Sequence, residues 1–160
     1  MATVLLLITT VLTALITGLF YAYSCSVVLG LGKLHNAEYL RAMQNINREI
    51  LNPVFFTSFM GAVILLPAST FVFRGQQTVF TFLLLASLAY LVGVFGVTVA
   101  GNVPMNDRLD AFDISGASAE AVKKMRDGFE SRWNFLNNIR TAFSVITIIL
   151  VACACIWNRE

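Results

Sequence analysis

One arginine, a few asparagines and a tryptophan carry most of the chemistry this chain offers. Trp133, Asn137, Arg140 and Ser144 follow one another at steps of four, three and four, which places them on one face of a helix. Asn102-Val103-Pro104-Met105-Asn106 sets two amides around a proline, and Asn47 is the polar member of a stripe otherwise made of Leu40, Met43 and Ile50. An arginine presents a planar fork of donors suited to a carbonyl or an anion. Asparagine amides add neutral donors and acceptors. Such a set can hold and polarise an oxygen-bearing ligand, but it contains no strong base. Arg140 opens an apolar span, where an ionisable group is costly unless it snorkels or pairs. It either reaches lipid phosphate or turns inward to meet an anionic or carbonyl ligand.

The elements that would position these groups are membrane helices. The chain has 160 residues, 58% of them hydrophobic and 12% charged, against about 25% charged in an ordinary soluble domain. Four apolar stretches, at 3–29, 53–73, 78–100 and 141–157, meet the roughly 17–25 residues that a spanning helix needs. The expected fold class is an all-α membrane protein: one domain over 1–160, a four-helix transmembrane bundle. Arg74-Gly75-Gln76-Gln77 is a tight turn, so the second and third spans form an antiparallel hairpin. The first span lacks a basic flank and is too long for a signal peptide's apolar region.

Two further segments lie between spans. Residues 36–51 read as a short amphipathic helix, capped by Asn36 with Glu38 in its first turn. Pro104 is expected to stop the third helix, leaving the Asn102 and Asn106 amides to cap freed carbonyls or face a cavity. Residues 107–117 read as a loop. Ser118 can cap a helix that runs into the fourth span, with Gly128 as a point of weakness. Unbroken, that helix would be ~58 Å long at 1.5 Å per residue. Asn52-Pro53 is a good helix start, with Asn as cap and Pro at the first position.

Lys and Arg counts orient the chain. Segments 30–52 and 101–140 hold nine (Lys33, Arg41, Arg48, Arg108, Lys123, Lys124, Arg126, Arg132, Arg140) against Arg74 and Arg159 on the other side. Both long segments are therefore expected in the cytoplasm and both termini outside, in a plasma or inner membrane. The polar groups then gather at the cytoplasmic face. In the first span, Tyr21 and Ser24 are three apart and share a face with room beside Gly18, suited either to an aromatic belt or to a pocket. A small residue recurs every fourth position at Thr10, Ala14, Gly18, Ala22, Ser26 and Gly30. Such a stripe lets helices approach closely, within the bundle against Ala89 and Gly93, or in a homo-oligomer or larger complex.

Much chemistry is excluded. His35 is the sole histidine, so neither a His-cluster metal site nor a bis-His haem site can form within the chain. Cys153 and Cys155 sit two apart on a helix and point to different faces. No carboxylate lies inside a span, which argues against an ion path. A net charge of +2 is too small to suggest nucleic acid.

The markers together resemble the anthrone oxygenase-like family of small four-helix membrane proteins. They are Gly18, Tyr21 and Ser24; Met43, Ile46-Asn47 and Asn52-Pro53; Asn102-x-Pro104-x-Asn106; and Trp133-x-x-x-Asn137-x-x-Arg140-Thr141. The resemblance spans nearly the whole chain. It implies O2-dependent oxidation of a flat phenolic or quinone-like ligand without metal or flavin. In that reading Arg140, Asn137, Asn102 and Asn106 carry the reaction, while Tyr21, Ser24, Asn47 and Trp133 hold the substrate. The alternatives are a non-catalytic accessory or scaffold subunit of a membrane complex, and a protein that binds or carries a lipid-like hydrophobe.

Overall fold

A computed structural model describes residues 1–158; Arg159, used above to orient the chain, lies outside the described residues. The chain is all-helical. α1 is Ala2–Leu31, α2 Asn36–Glu49, α3 Pro53–Val72, α4 Gln77–Asp110 and α5 Ala119–Trp157. All but α2 are long and apolar enough to cross a membrane. They form a square: α1 packs on α3 and α5, and α4 packs on the same two. α2, the last turns of α4 and the first turns of α5 close one end of it.

Large apolar side chains cover the outside of the square, among them Leu7, Leu15, Ile64, Val92 and Ile149. A soluble monomer rarely exposes so much contiguous apolar surface; here it is the surface that meets lipid. Inside, Leu6, Ile16, Leu66, Leu83, Tyr90 and Val151 belong to one core. Hydroxyls tie the helices to each other, as interhelical polar contacts do in membranes. Thr9 and Ser69 lie 2.9 Å apart, Thr70 and Ser87 3.0 Å apart, and Thr17 donates to the Ser144 carbonyl at 3.1 Å. Tyr39, Leu40, Met43, Leu109, Val122 and Phe129 make a second core beneath α2.

Several local expectations are corrected. His35, not Asn36, caps α2, and its backbone N–H donates to the Glu38 carboxylate at 3.2 Å. Asn36 instead accepts from Arg126 at 3.1 Å. Pro104 does not stop α4. The backbone is π-helical over Ala89–Gly96 and Thr98–Asn102, then α-helical again over Val103–Asp110. A proline ring collides with the carbonyl four residues back, and the wider π turn ending at Asn102 relieves that collision. The loop accordingly begins after Asp110, not at 107. α5 runs unbroken for 39 residues, about 58 Å, and Gly128 does not interrupt it.

The small-residue stripe of α1 faces outward. Ala14, Gly18, Ala22, Ser26 and Gly30 are exposed, and a Cβ added at Gly18 or Gly30 would meet nothing within 4 Å. The inward face of α1 is Leu6, Thr9, Thr13, Ile16, Thr17 and Phe20. Threonine suits it because its hydroxyl satisfies the carbonyl four residues back, as at Thr9, Thr13 and Thr17. Of the partner stripe, Gly93 is in tight contact, but with α5: a Cβ there would lie 2.0 Å from Phe143 Cγ.

Candidate active site

The polar face of α5 holds together. Trp133, Asn137, Arg140 and Ser144 are all buried, because the α-helical register continues unbroken through them. A cavity of about 310 Å³ lies against Trp133, Asn137 and Arg140 at the α2 end of the square, within the usual range of roughly 300–1,000 Å³ for small-molecule sites. Its other walls are Phe20 and Tyr23 of α1, Ile46 and Asn47 of α2, Phe55, Phe56, Phe59 and Met60 of α3, and Phe95, Thr98, Val99, Asn102, Val103 and Asn106 of α4. Most of this lining is aromatic or aliphatic, with Thr98, Asn102 and Asn106 of α4, Asn137 and Arg140 of α5 and Asn47 of α2 as its amide, aliphatic hydroxyl and charged groups.

Arg140 turns inward and does not snorkel. It is 7% exposed. Its Nη2 donates to Asn137 Oδ1 at 3.0 Å and its Nη1 to Thr98 Oγ1 at a long 3.4 Å, while Nε has no partner. Its guanidinium lies over the Phe20 ring at 4.6 Å and 5.5 Å from the Trp133 centroid. Among the described residues no carboxylate is within ion-pair distance. A buried charge without a counter-ion costs several kcal/mol, and contact with ring faces returns only about 0.5–2 kcal/mol. Arg140 lines the cavity, so its charge sits at the cavity wall.

The amides divide into two kinds. Asn137 has both side-chain atoms engaged: Nδ2 donates to Ser24 Oγ at 2.9 Å and Oδ1 accepts from Arg140. Ser24 in turn sits 2.7 Å from the Thr141 hydroxyl. Asn106 Oδ1 accepts from the Trp133 indole at 2.8 Å, which fixes the plane of that ring. Asn102 differs. It is 1% exposed, and neither its oxygen nor its nitrogen has a partner. Asn47 Nδ2 is likewise buried and unpartnered. A buried amide without a hydrogen bond costs about 1–3 kcal/mol in protein mutational data, so each of these orphans calls for a physical reason.

Several expected site residues stand elsewhere. Tyr21 is 59% exposed and does not line the cavity. Tyr23 does, with its ring 5.9 Å from that of Trp133. Tyr23 follows buried Ile16 and Phe20, about 20° and 60° round the helix from them, whereas Tyr21 lies about 140° and 100° away at 100° per residue. Ser24 lies behind Asn137 and orients it without lining the cavity. Asn52 is structural as expected, accepting from the Phe55 N–H at 3.0 Å. The sequence reading missed Tyr23, Thr98 and the Phe55–Phe59–Phe95 wall. The spacing of Ile16, Phe20 and Tyr23, at steps of four and three, was the signal that could have revealed the first of these.

The site holds one cation, free amides and stacked rings, and lacks a cluster that could ligate a metal. Among the described residues no three His, Cys, Asp or Glu side chains come together.

The fold and site define a class: a small four-helix membrane protein with a buried cation beside an aromatic cavity. The anthrone oxygenase family matches residues 53–150, well over half of the chain, and the chain belongs to that family. The match covers α3, α4 and most of α5, hence Asn102, Asn106, Trp133, Asn137 and Arg140. It is narrower than the whole-chain resemblance, since Tyr21, Ser24 and Asn47 precede it. No curated protein and no solved structure matched the chain.

Proposed function

We propose that the cavity binds a flat phenolic or quinone-like molecule and promotes its oxidation by O2 without a bound cofactor. The observation that carries this reading is Arg140, a buried cation facing an aromatic cavity with no carboxylate to pair with. Family membership supports the same chemistry.

An anthrone has an acidic C–H opposite its ring carbonyl. Loss of that proton leaves an anion with its charge on the carbonyl oxygen. Arg140 and the free Asn102 amide would donate to this oxygen, and preorganised donors in a dry site stabilise developing charge far better than water does. The lining holds no carboxylate or imidazole, so deprotonation rests on stabilising the anion, with water taking the proton. O2 adds to the electron-rich carbon, the proton returns to the resulting peroxide, and loss of water leaves a second carbonyl. One O2 is consumed, and one anthraquinone and one water are formed. Asn47 and Asn106 would orient the other ring oxygens. Trp133 and Tyr23 would flank the ring face, the part first assigned to Tyr21.

The end of the bundle bearing the cavity carries most of the Lys and Arg residues. This supports a cytoplasmic position for it by the positive-inside rule. An accessory role in a larger assembly is the second reading, and the outward small-residue stripe of α1 favours it.

The test is oxygen uptake by membranes given anthrone. Arg140→Ala should lower turnover about 10²–10³-fold, the range for losing an oxyanion donor. Unchanged turnover in a variant that still inserts and folds would reject the assignment.

A further inference from the structure

α3 and α4 are joined at one end and part at the other. Near the middle of the bundle they are stitched together: the Tyr90 hydroxyl donates to the Phe59 carbonyl at 2.9 Å, and the Phe59 and Phe95 rings meet at 5.8 Å. One turn nearer α2, contact between the two helices thins out. There Phe56 and Met60 on α3, and Val99 and Val103 on α4, line the cavity and are also exposed, at 41%, 36%, 50% and 41%. Each pair is spaced i, i+4, so each forms one stripe along its helix. Two apolar stripes thus face each other across a slot, with exposed Leu51 closing its α2 end. The slot is bounded by faces of α3 and α4, two of the helices long and apolar enough to cross a membrane. The buried polar side chains Asn102 and Arg140 line the same cavity.

We propose that this slot is a lateral portal through which the ligand enters from the bilayer. The inference rests on the ligand-pocket reading above and deepens it. It names the substrate class as a membrane-dissolved, flat apolar molecule with an oxygen at its leading edge. Such a molecule passes between uncharged walls and meets Asn102 and Arg140 only once inside, so it need not leave hydrocarbon before its polar end is satisfied. The π-helical turns of α4 fit this arrangement. They carry both Val99 and Asn102, one on the portal rim and one in the buried wall, and π segments recur at functional sites.

The experiment uses the full chain in lipid nanodiscs, in a Trp157→Phe background that leaves Trp133 as the sole tryptophan. Anthraquinone, which is not oxidised further, serves as the probe, and stopped-flow quenching of Trp133 reports its arrival and release. Val99→Phe and Met60→Phe each add bulk to one wall at a lipid-exposed position, so neither disturbs the core. Each should slow both binding and release at least tenfold, and by more than the equilibrium affinity changes, since an altered site moves the affinity whereas an obstructed path slows both directions together. Val99→Ala should bind at least as fast as the parent. Quenching with unchanged rates in both Phe variants would overturn the portal alone. Absence of any quenching in the parent would overturn the portal together with the ligand-pocket reading.

Discussion

Asn137 Oδ1 accepts from Arg140 Nη2 at 3.0 Å, one turn away on the same helix, and this amide is the nearest thing the arginine has to a counter-ion. A neutral acceptor orients the guanidinium without cancelling its charge. Asn137 is itself aimed by Ser24, which accepts from its Nδ2 at 2.9 Å. The positive charge is therefore positioned and left unspent.

Asn137→Asp tests that arrangement. The carboxylate would take the same place and pair with Arg140, and the Ser24 hydroxyl could donate to it. Pairing a buried cation relieves its desolvation, so thermal stability in detergent should hold or rise. Turnover should fall at least tenfold, because the field that stabilises the anion is neutralised. Full activity with a stabilised fold would mean that the charge of Arg140 does not act on the ligand.

Asn102→Leu removes a buried amide with no partner and replaces it by an apolar side chain of similar size. Desolvating an unpartnered amide costs about 1–3 kcal/mol, so the variant should melt at the same temperature or higher. Ligand binding and turnover should be lost. A variant that melts lower and still turns over normally would show that the amide serves the fold.

Gly93→Ala should destabilise the α4–α5 contact. The added Cβ would come within 2.0 Å of Phe143 Cγ and 2.3 Å of Cδ1, close to the root of that side chain, where rotation gives little relief. Overpacking of this kind costs about 1–3 kcal/mol. The thermal midpoint in detergent should drop. An unchanged midpoint would mean that the two helices separate without penalty.

Tyr39 sets an alkaline limit on the docking of α2. Its hydroxyl is buried without a partner. Burial, reinforced by nearby Glu130 and opposed by Arg126, raises its pKa above the ordinary 10.0. A group with a raised folded value holds its proton more tightly when folded. Its contribution is thus fully present below pH 10 and is lost as the pH climbs toward the folded value. α2 should loosen in that alkaline window, seen as faster amide exchange over Asn36–Glu49. Tyr39→Phe should abolish the window and leave stability at neutral pH equal or higher. Persistence of the same alkaline loosening in Tyr39→Phe would assign it to another group.

What the sequence determined by itself was whatever follows from period and composition. Four apolar stretches could only become four spanning helices, and a step of four, three and four put Trp133, Asn137, Arg140 and Ser144 on one face whatever surrounded them. The turn at Arg74–Gln77 made α3 and α4 a hairpin. Tertiary structure decided everything that depends on which face meets which neighbour. Small residues and threonines both repeat along α1, and either stripe could have packed inward. The threonines did, since their hydroxyls satisfy backbone carbonyls and reach other helices, and Tyr23, in register with buried Ile16 and Phe20, lines the cavity while Tyr21 does not. Pro104 reads as a helix stop until the π turn before it supplies room for the ring. Asn102, Asn106 and Asn137 are alike as letters. Only the approach of Trp133 to Asn106, and of Ser24 and Arg140 to Asn137, leaves Asn102 as the amide with both atoms free.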